Sequence, residues 1–266
     1  MISLEKNRHL FAPPFCESVE TFLLPVPKFK FEPNNGLRIA EGGRYFDQIR
    51  VIQKKNDAYV EVLMTPSKLL SSAKINCKSS LIKTEMNLEN IIKKRPSYSK
   101  CDMSQPHIMG VINLTPDSFY KKSRKQDYVS VDKTIKKMEN CGASIIDIGG
   151  ESTKPGSQMI SVKEEKRRVL QVIERLKKNN LKSLISLDTR NLSTMKIGYK
   201  NKVDIINDIT GFNDDNKICF VSKNKIPIIV MHMQRDPVTM QNNPKYSFAP
   251  IDIYNFFFKK INDLLD

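Results

Sequence analysis

A chain of 266 residues with 39% hydrophobic content can build a sizeable core and is long enough for one large domain or two ordinary ones. It holds no run near the roughly 18 apolar residues a membrane span needs, and its N-terminus, MISLEKNRHLFAPPF, shows no secretory pattern, so a cytoplasmic protein with no membrane partner is expected. The net charge of +15 favours phosphates, but lysines in short runs such as Lys136-Lys137 and Lys259-Lys260, without an arginine–aromatic stripe, point to solvated surface and no nucleic-acid partner.

Residues 1–100 read as a small α+β region. Pro13-Pro14, Pro25, Pro27 and Pro33 punctuate its first third, and Gly42-Gly43 follows. Phe46–Lys55 and Tyr59–Met64 then form two strands joined by Asn56-Asp57, a hairpin pattern. Thr65-Pro66 supplies an N-cap with proline at the first helical position. The stretch 93–100, KKRPSYSK, reads as a linker, and the sequence assigns this region no role.

From residue 101 a second domain is expected, and from His107 the rhythm is regular. Apolar strands at 107–114, 143–149, 183–188, 203–209 and 226–232 alternate with helical patterns. A helix near 130–140 puts Val131, Ile135 and Met138 on one face and stops at Gly142. The next opens with Ser161-Val-Lys-Glu164, a capping box, and carries Val169, Val172, Ile173 and Leu176 on one stripe. Fully apolar strands in repeated βα units imply an α/β fold with a parallel sheet, as in a doubly wound sheet or a (β/α)8 barrel. The last segment, Ile253–Asp266, is an amphipathic helix presenting Phe256, Phe257, Ile261, Leu264 and Leu265. About five βα units are present against the eight of a closed TIM barrel, so an open sheet or an incomplete barrel is expected.

The chemistry sits where the apolar strands break into polar loops. Asn113 ends the first strand in HIMGVINLTPDSF, and a carboxamide oxygen there can ligate a hard cation such as Mg2+ beside a diphosphate. Asn113 and Asp117 could equally cap the turn. In IIDIGGESTKPG the paired glycines allow close backbone approach, while Ser152, Thr153 and Lys154 offer hydroxyls and a cation to an anion. Asp147 lies inside that strand, where it could hold a loop or bear on the chemistry. Asp188 closes the third strand and Asn207 sits in the fourth. Together they suit the donor and acceptor edge of a flat heterocycle such as a 2-amino-pyrimidinone, or else each other. Met231 could pack on such a ring, and His232 could serve the core. The scattered cysteines have no CxxC spacing, which suggests reduced thiols and neither zinc nor a disulfide framework.

Taken together, IMGVINLTPDSF, GASIIDIGGESTKPG, ISLDT, IINDI and MHMQRDPVTMQNNPKY, spanning about 107 to 246, resemble dihydropteroate synthase of the pterin-binding (β/α)8 barrels. The resemblance implies a transferase of folate biosynthesis. It condenses 6-hydroxymethyl-7,8-dihydropterin diphosphate with p-aminobenzoate to 7,8-dihydropteroate and diphosphate, with Mg2+ and cationic groups stabilising the departing diphosphate. It makes Asn113 the Mg2+ and diphosphate ligand, Asp188 and Asn207 the pterin binders, and Met231 a packing surface for the pterin. Thr153, Lys154 and Pro155 belong to the loop shaping the diphosphate and p-aminobenzoate sites, with Phe119 beside the latter; Thr153, Lys154 and Asp147 are the catalytic candidates. It also implies a homodimer.

Three departures qualify it. The chain reads Tyr120-Lys121-Lys122-Ser123 where the family usually has Ser-Asp-Gly-Gly, and Lys154 stands in place of Arg, keeping charge but losing the bidentate fork. DPGFGFGK-like, SRK-like and Arg-x-His segments are missing from the sequence given. The chain is therefore expected to be an inactive fragment alone. The alternatives are a noncatalytic pterin-binding or scaffold protein, or a pterin-dependent methyltransferase. GGEST-x-PG and NLTPDSF, which serve a diphosphate, weigh against the latter.

Overall fold

The computed structural model describes residues 14–16, 19–29, 36–55, 58–114, 124–151, 160–179, 181–235 and 239–265. They fall into two compact units, Met1–Ser97 with Asp102–Pro106, and Tyr98–Cys101 with His107–Asp266.

In the first unit, strands β1 (Glu20–Pro25), β2 (Leu37–Arg38), β3 (Tyr45–Phe46), β4 (Ile49–Lys55) and β5 (Ala58–Met64) precede helices α1 (Pro66–Asn76) and α2 (Lys78–Ile92). The sheet runs β1-β4-β5, antiparallel throughout, and Lys55 opposite Ala58 confirms the hairpin expected around 56–57. The strand expected from Phe46 is in two pieces, because Tyr45–Phe46 pairs with Leu37–Arg38 instead of continuing into β4. Thr65 caps α1 by accepting the Lys68 N–H at 3.3 Å, and Phe46, Ile49, Val51, Leu69 and Leu88 form the core.

The second unit alternates β6 (Ile108–Asn113), α3 (Arg124–Asn140), β7 (Ala143–Gly149), α4 (Val162–Lys178), β8 (Leu184–Asp188), α5 (Leu192–Lys200), β9 (Ile205–Asp208), α6 (Asp215–Lys223), β10 (Ile228–Val230) and α7 (Ala249–Leu265). All five strands are parallel and lie in chain order, β10-β9-β8-β7-β6. Alternate strand residues Ile112, Ile146, Ile148, Ile185, Leu187 and Ile206 pack against Val131, Val169, Val172, Met195 and Val221 from four successive helices. One sheet face therefore receives these helices. That resolves the choice left by the sequence: a doubly wound sheet reverses strand order and carries helices on both faces, whereas sequential order with helices on one face is an arc of a (β/α)8, TIM-barrel-type fold. Among the described residues the arc has five strands and does not close.

The opposite face is graded along the strands. At the N-terminal end, Ile145, Leu184 and Ile205 form an apolar layer with Cys101, against which Tyr98, Met109 and Ile229 pack. Tyr98 donates its hydroxyl to the Ile228 carbonyl at 2.7 Å, and burial pushes its phenol up to about 12. Tyr98, which lies in the 93–100 stretch read as linker from sequence, thus packs on this layer. Towards the C-terminal ends the same face turns polar.

Local signals set the helix boundaries. Gly142 takes φ +94°, the left-handed turn that stops α3. Ser161 caps α4 by accepting the Glu164 N–H at 3.2 Å, but the reciprocal half of the capping box is absent: the Glu164 carboxylate turns to Arg167 and Arg168. In α7, Ile251 is buried and Leu264 packs on the core, whereas Ile261 and Leu265, expected on the apolar stripe, are exposed.

Candidate active site at the strand ends

Parallel register aligns the site. Asn113 lies opposite Gly149, Gly149 opposite Asp188, Asp188 opposite Asn207, and Asn207 opposite Ile229. One row towards the N-terminal end are Val111, Asp147, Ser186 and Ile205. Since successive strand residues alternate faces, Asn113, Asp188 and Asn207 share the helix-free face at its C-terminal rim, where barrels of this type build their active sites.

Gly149 makes the convergence possible. A Cβ there would sit 3.2 Å from Asn113 Oδ1 and 3.2 Å from Asp188 Oδ2. The two polar ends lean together over a position with no side chain. Asn207 donates from Nδ2 to Asp147 Oδ2 at 3.1 Å, so its carboxamide is fixed by Asp147 and not by Asp188, the partner the sequence also allowed. Asp147 is buried, and its Oδ1 and Ser186 Oγ have no hydrogen-bond partner among the described residues. Burial raises the Asp147 carboxyl above its ordinary 3.8; Ser186 and Asn207 nearby offset part of that rise, although the Ser186 hydroxyl stops short of bonding geometry.

Asp188 is the most perturbed group of the site. Burial, then the charges of Asp147, Asp208, Glu165 and Glu151, push its carboxyl from 3.8 up to about 7. No donor among the described residues bonds to it. An acid poised at neutrality with open hydrogen-bonding capacity marks a functional position. A ligand offering two adjacent N–H donors would supply what it lacks.

Met231 follows β10 directly, and its carbonyl would lie 2.8 Å from a Cβ at Gly211, which takes φ +64° and so keeps this approach open. His232 stacks edge-on to Phe256 with ring centres 4.7 Å apart, in a half-buried aromatic cluster. Phe119, Thr153, Lys154 and Pro155, together with Asp117, lie outside the described residues.

Four charged residues missed in the sequence hold the strand ends from behind. Arg168 is buried, and its Nη1 donates to the Leu114 and Gly150 carbonyls, both at 3.1 Å. Glu165, also buried, accepts from Thr189 Oγ1 at 2.5 Å, Asn191 Nδ2 at 2.9 Å and Thr194 Oγ1 at 2.6 Å. Glu151 accepts the Ile160 N–H at 3.2 Å and a two-point contact from Arg190 at 3.0 Å each. The α4 stripe gave a usable signal: stepping back four residues from Val169 and Val172 lands on Glu165 and Arg168, ionic residues where the helical period calls for apolar ones.

Residues 109–265 match the pterin binding enzyme family, and the chain belongs to that family. More particularly, it is similar to dihydropteroate synthases. It is 37% identical over 160 residues to that of Escherichia coli strain K12, which covers 60% of this chain and 56% of the relative. Against the bifunctional dihydropteroate synthase/dihydropteroate reductase of Helicobacter pylori it is 30% identical over 229 residues, 85% of this chain and 59% of the relative. The solved Yersinia pestis dihydropteroate synthase, in a sulfonamide drug complex, superposes with TM-score 0.56 at 34% identity, covering 62% of this chain and 59% of that one. The chain thus spans less than two thirds of the relatives it matches. Among the described residues no helix is long and apolar enough to cross a membrane.

Proposed function

We propose that this chain carries the pterin-binding half of a dihydropteroate synthase site. The reaction is condensation of 6-hydroxymethyl-7,8-dihydropterin diphosphate with p-aminobenzoate. The bond from the pterin methylene carbon to diphosphate oxygen breaks, a carbon–nitrogen bond to the arylamine forms, and the amine gives up a proton. The convergence of Asn113, Asp188 and Asn207 around Gly149 carries this reading. Asp188 takes the donor edge of the pterin, Asn207 stands beside it locked by Asp147, and Met231 covers the ring. Thr153, Lys154, Pro155 and Phe119 serve the diphosphate and the arylamine.

Asn113 suits Mg2+. The described residues hold no cluster of three or more His, Cys, Asp or Glu, and Mg2+ is commonly held by one or two protein oxygens with the substrate's phosphates and water. Bound there, it would neutralise charge on the leaving diphosphate. β6 and β10 each leave one edge unpaired among the described residues, so the described strands line the site from one side, and pterin binding is the activity tested first. The same reading carries a cytoplasmic setting and pairing of two copies, which sedimentation would check.

The test is calorimetric titration of the 266-residue protein with the pterin diphosphate. Binding is expected for the wild type, with loss in Asp188→Ala and in Asn207→Ala. Unchanged affinity in both variants refutes the assignment.

A further inference from the structure

We propose that Arg168 is a positioning residue that fixes the exits of β6 and β7 relative to each other and so sets the diphosphate end of the site. The inference rests on the function proposed above and assigns a role to a residue that faces away from the pocket.

The stripe of α4 below this point, Val169, Val172, Ile173 and Leu176, is fully packed against the sheet, which makes the helix a rigid reference. From its next turn Arg168 reaches two main-chain carbonyls on different strands. Leu114 directly follows Asn113, and Gly150 directly follows Gly149. One nitrogen, Nη1, serves both carbonyls, so the separation of the two exits is set by a single planar group. Its Nε is oriented by Glu164 at 2.8 Å, and Arg167 together with Arg168 holds the Glu164 carboxyl down to about 2. Leu114 N–H in turn donates to the Gly149 carbonyl at 2.8 Å, tying the same two exits directly.

Glu165, three residues back on the same helix face, packs against Gly150 but makes none of its hydrogen bonds to these exits. It holds the next one, through Thr189, which follows Asp188. The site is therefore held from α4 in two separable parts. Arg168 governs Asn113 and Gly149, the diphosphate side, and Glu165 governs Asp188, the pterin side. Gly150 has no room for a side chain because a Cβ would come within 2.9 Å of Glu165 Cγ and 3.0 Å of Val169 Cγ1, which keeps the exit against the helix.

The separation is testable with two ligands. The full 266-residue protein, Arg168→Met and Arg168→Lys are titrated with 6-hydroxymethyl-7,8-dihydropterin and with its diphosphate ester, and backbone amide exchange is followed in parallel. In Arg168→Met we expect exchange at the Leu114 amide to accelerate about tenfold while β8 and β9 amides are unchanged. Affinity for the diphosphate ester should fall about tenfold and that for the neutral pterin should stay within about twofold. Arg168→Lys keeps the charge beside Glu164 without the planar fork. It should retain the thermal stability of the wild type yet share the loss for the diphosphate ester, and it carries the same test if the Met variant does not fold. Unchanged exchange at Leu114, equal weakening of both ligands, or full restoration by Lys overturns the inference. Failure of the wild type to bind either ligand overturns the proposed function instead, and the exchange measurement then decides the Arg168 role alone.

Discussion

Replacing Asp188 by Asn should make the protein more stable and its site worse. Folding lifts the Asp188 carboxyl from 3.8 to about 7. Between those values the folded chain holds a proton that the unfolded chain has released. Stability from this group is therefore full below pH 3.8, falls by about 1.4 kcal/mol per pH unit as pH rises, and reaches its floor above pH 7. A rise of about three units corresponds to a cost of up to about 4 kcal/mol at pH 8. Asparagine has no such cost. Urea unfolding at pH 5 and pH 8 should thus show the variant's advantage growing by about 2–3 kcal/mol between the two. Pterin binding should move the opposite way, because the carboxamide cannot accept from two adjacent N–H donors as a carboxylate can. In the wild type, ligand donors favour the ionised form, so binding near pH 7 should release protons and tighten from pH 6 to pH 8. An Asn-minus-Asp stability difference that is flat with pH would refute the reasoning, since it would mean that Asp188 ionises as an ordinary exposed carboxyl.

Three further outcomes follow from the geometry. Gly149→Ala places a Cβ 3.2 Å from both Asn113 Oδ1 and Asp188 Oδ2, so titration should show about tenfold weaker binding of the pterin diphosphate with less than about 1 kcal/mol lost in urea unfolding. Lys217→Met strips the buried Asp208 of its Nζ partner at 3.1 Å and should cost about 3–5 kcal/mol, and adding Asp208→Asn should recover part of it. Tyr98→Phe removes the bond to the Ile228 carbonyl and should lower stability by about 1–2 kcal/mol without altering pterin affinity, because Tyr98 packs in the apolar layer with Ile145, Leu184 and Ile205 and not among the polar groups of the rim.

The parts of this molecule legible in sequence are those governed by local period and local chemistry. Five strands announce themselves as apolar runs, Thr65 and Ser161 as caps, and Gly142 as a stop. The site residues Asn113, Asp188 and Asn207 stand out as polar groups ending such runs. Legibility fails where one residue answers to distant ones. Whether Asn207 bonds Asp188 or Asp147 depends on register across β7, β8 and β9. Glu164 belongs to a capping box by spacing, yet Arg167 and Arg168 compete for its carboxylate and win. Tyr98 sits in a string of Lys, Pro and Ser that reads as linker, and only the layer it completes with Ile145, Leu184 and Ile205 reveals its place. Sequence order also could not separate an arc of a barrel from a doubly wound sheet, because the difference lies in which face the helices take.

The charge around the site makes a final demand on its ligand. Among the described residues, Asp147 and Asp188 stand on the helix-free face with no cation bonded to either, while Glu151 is paired with Arg190 and Glu165 is satisfied by neutral donors. Such a rim welcomes the donor edge of a pterin and repels a diphosphate, even though the chain as a whole is strongly basic. The neutral oxygen of Asn113 cannot offset that repulsion alone. Affinity for the pterin diphosphate should therefore depend steeply on Mg2+, with about tenfold or greater weakening when a chelator removes it, whereas affinity for the neutral hydroxymethylpterin should not respond. Lowering the pH to 6, which protonates Asp188, should reduce the Mg2+ dependence, and Asp188→Asn should remove the pH effect on it. Equal Mg2+ dependence for both ligands would place the cation with the pterin and not with the diphosphate, and would take Asn113 out of that role.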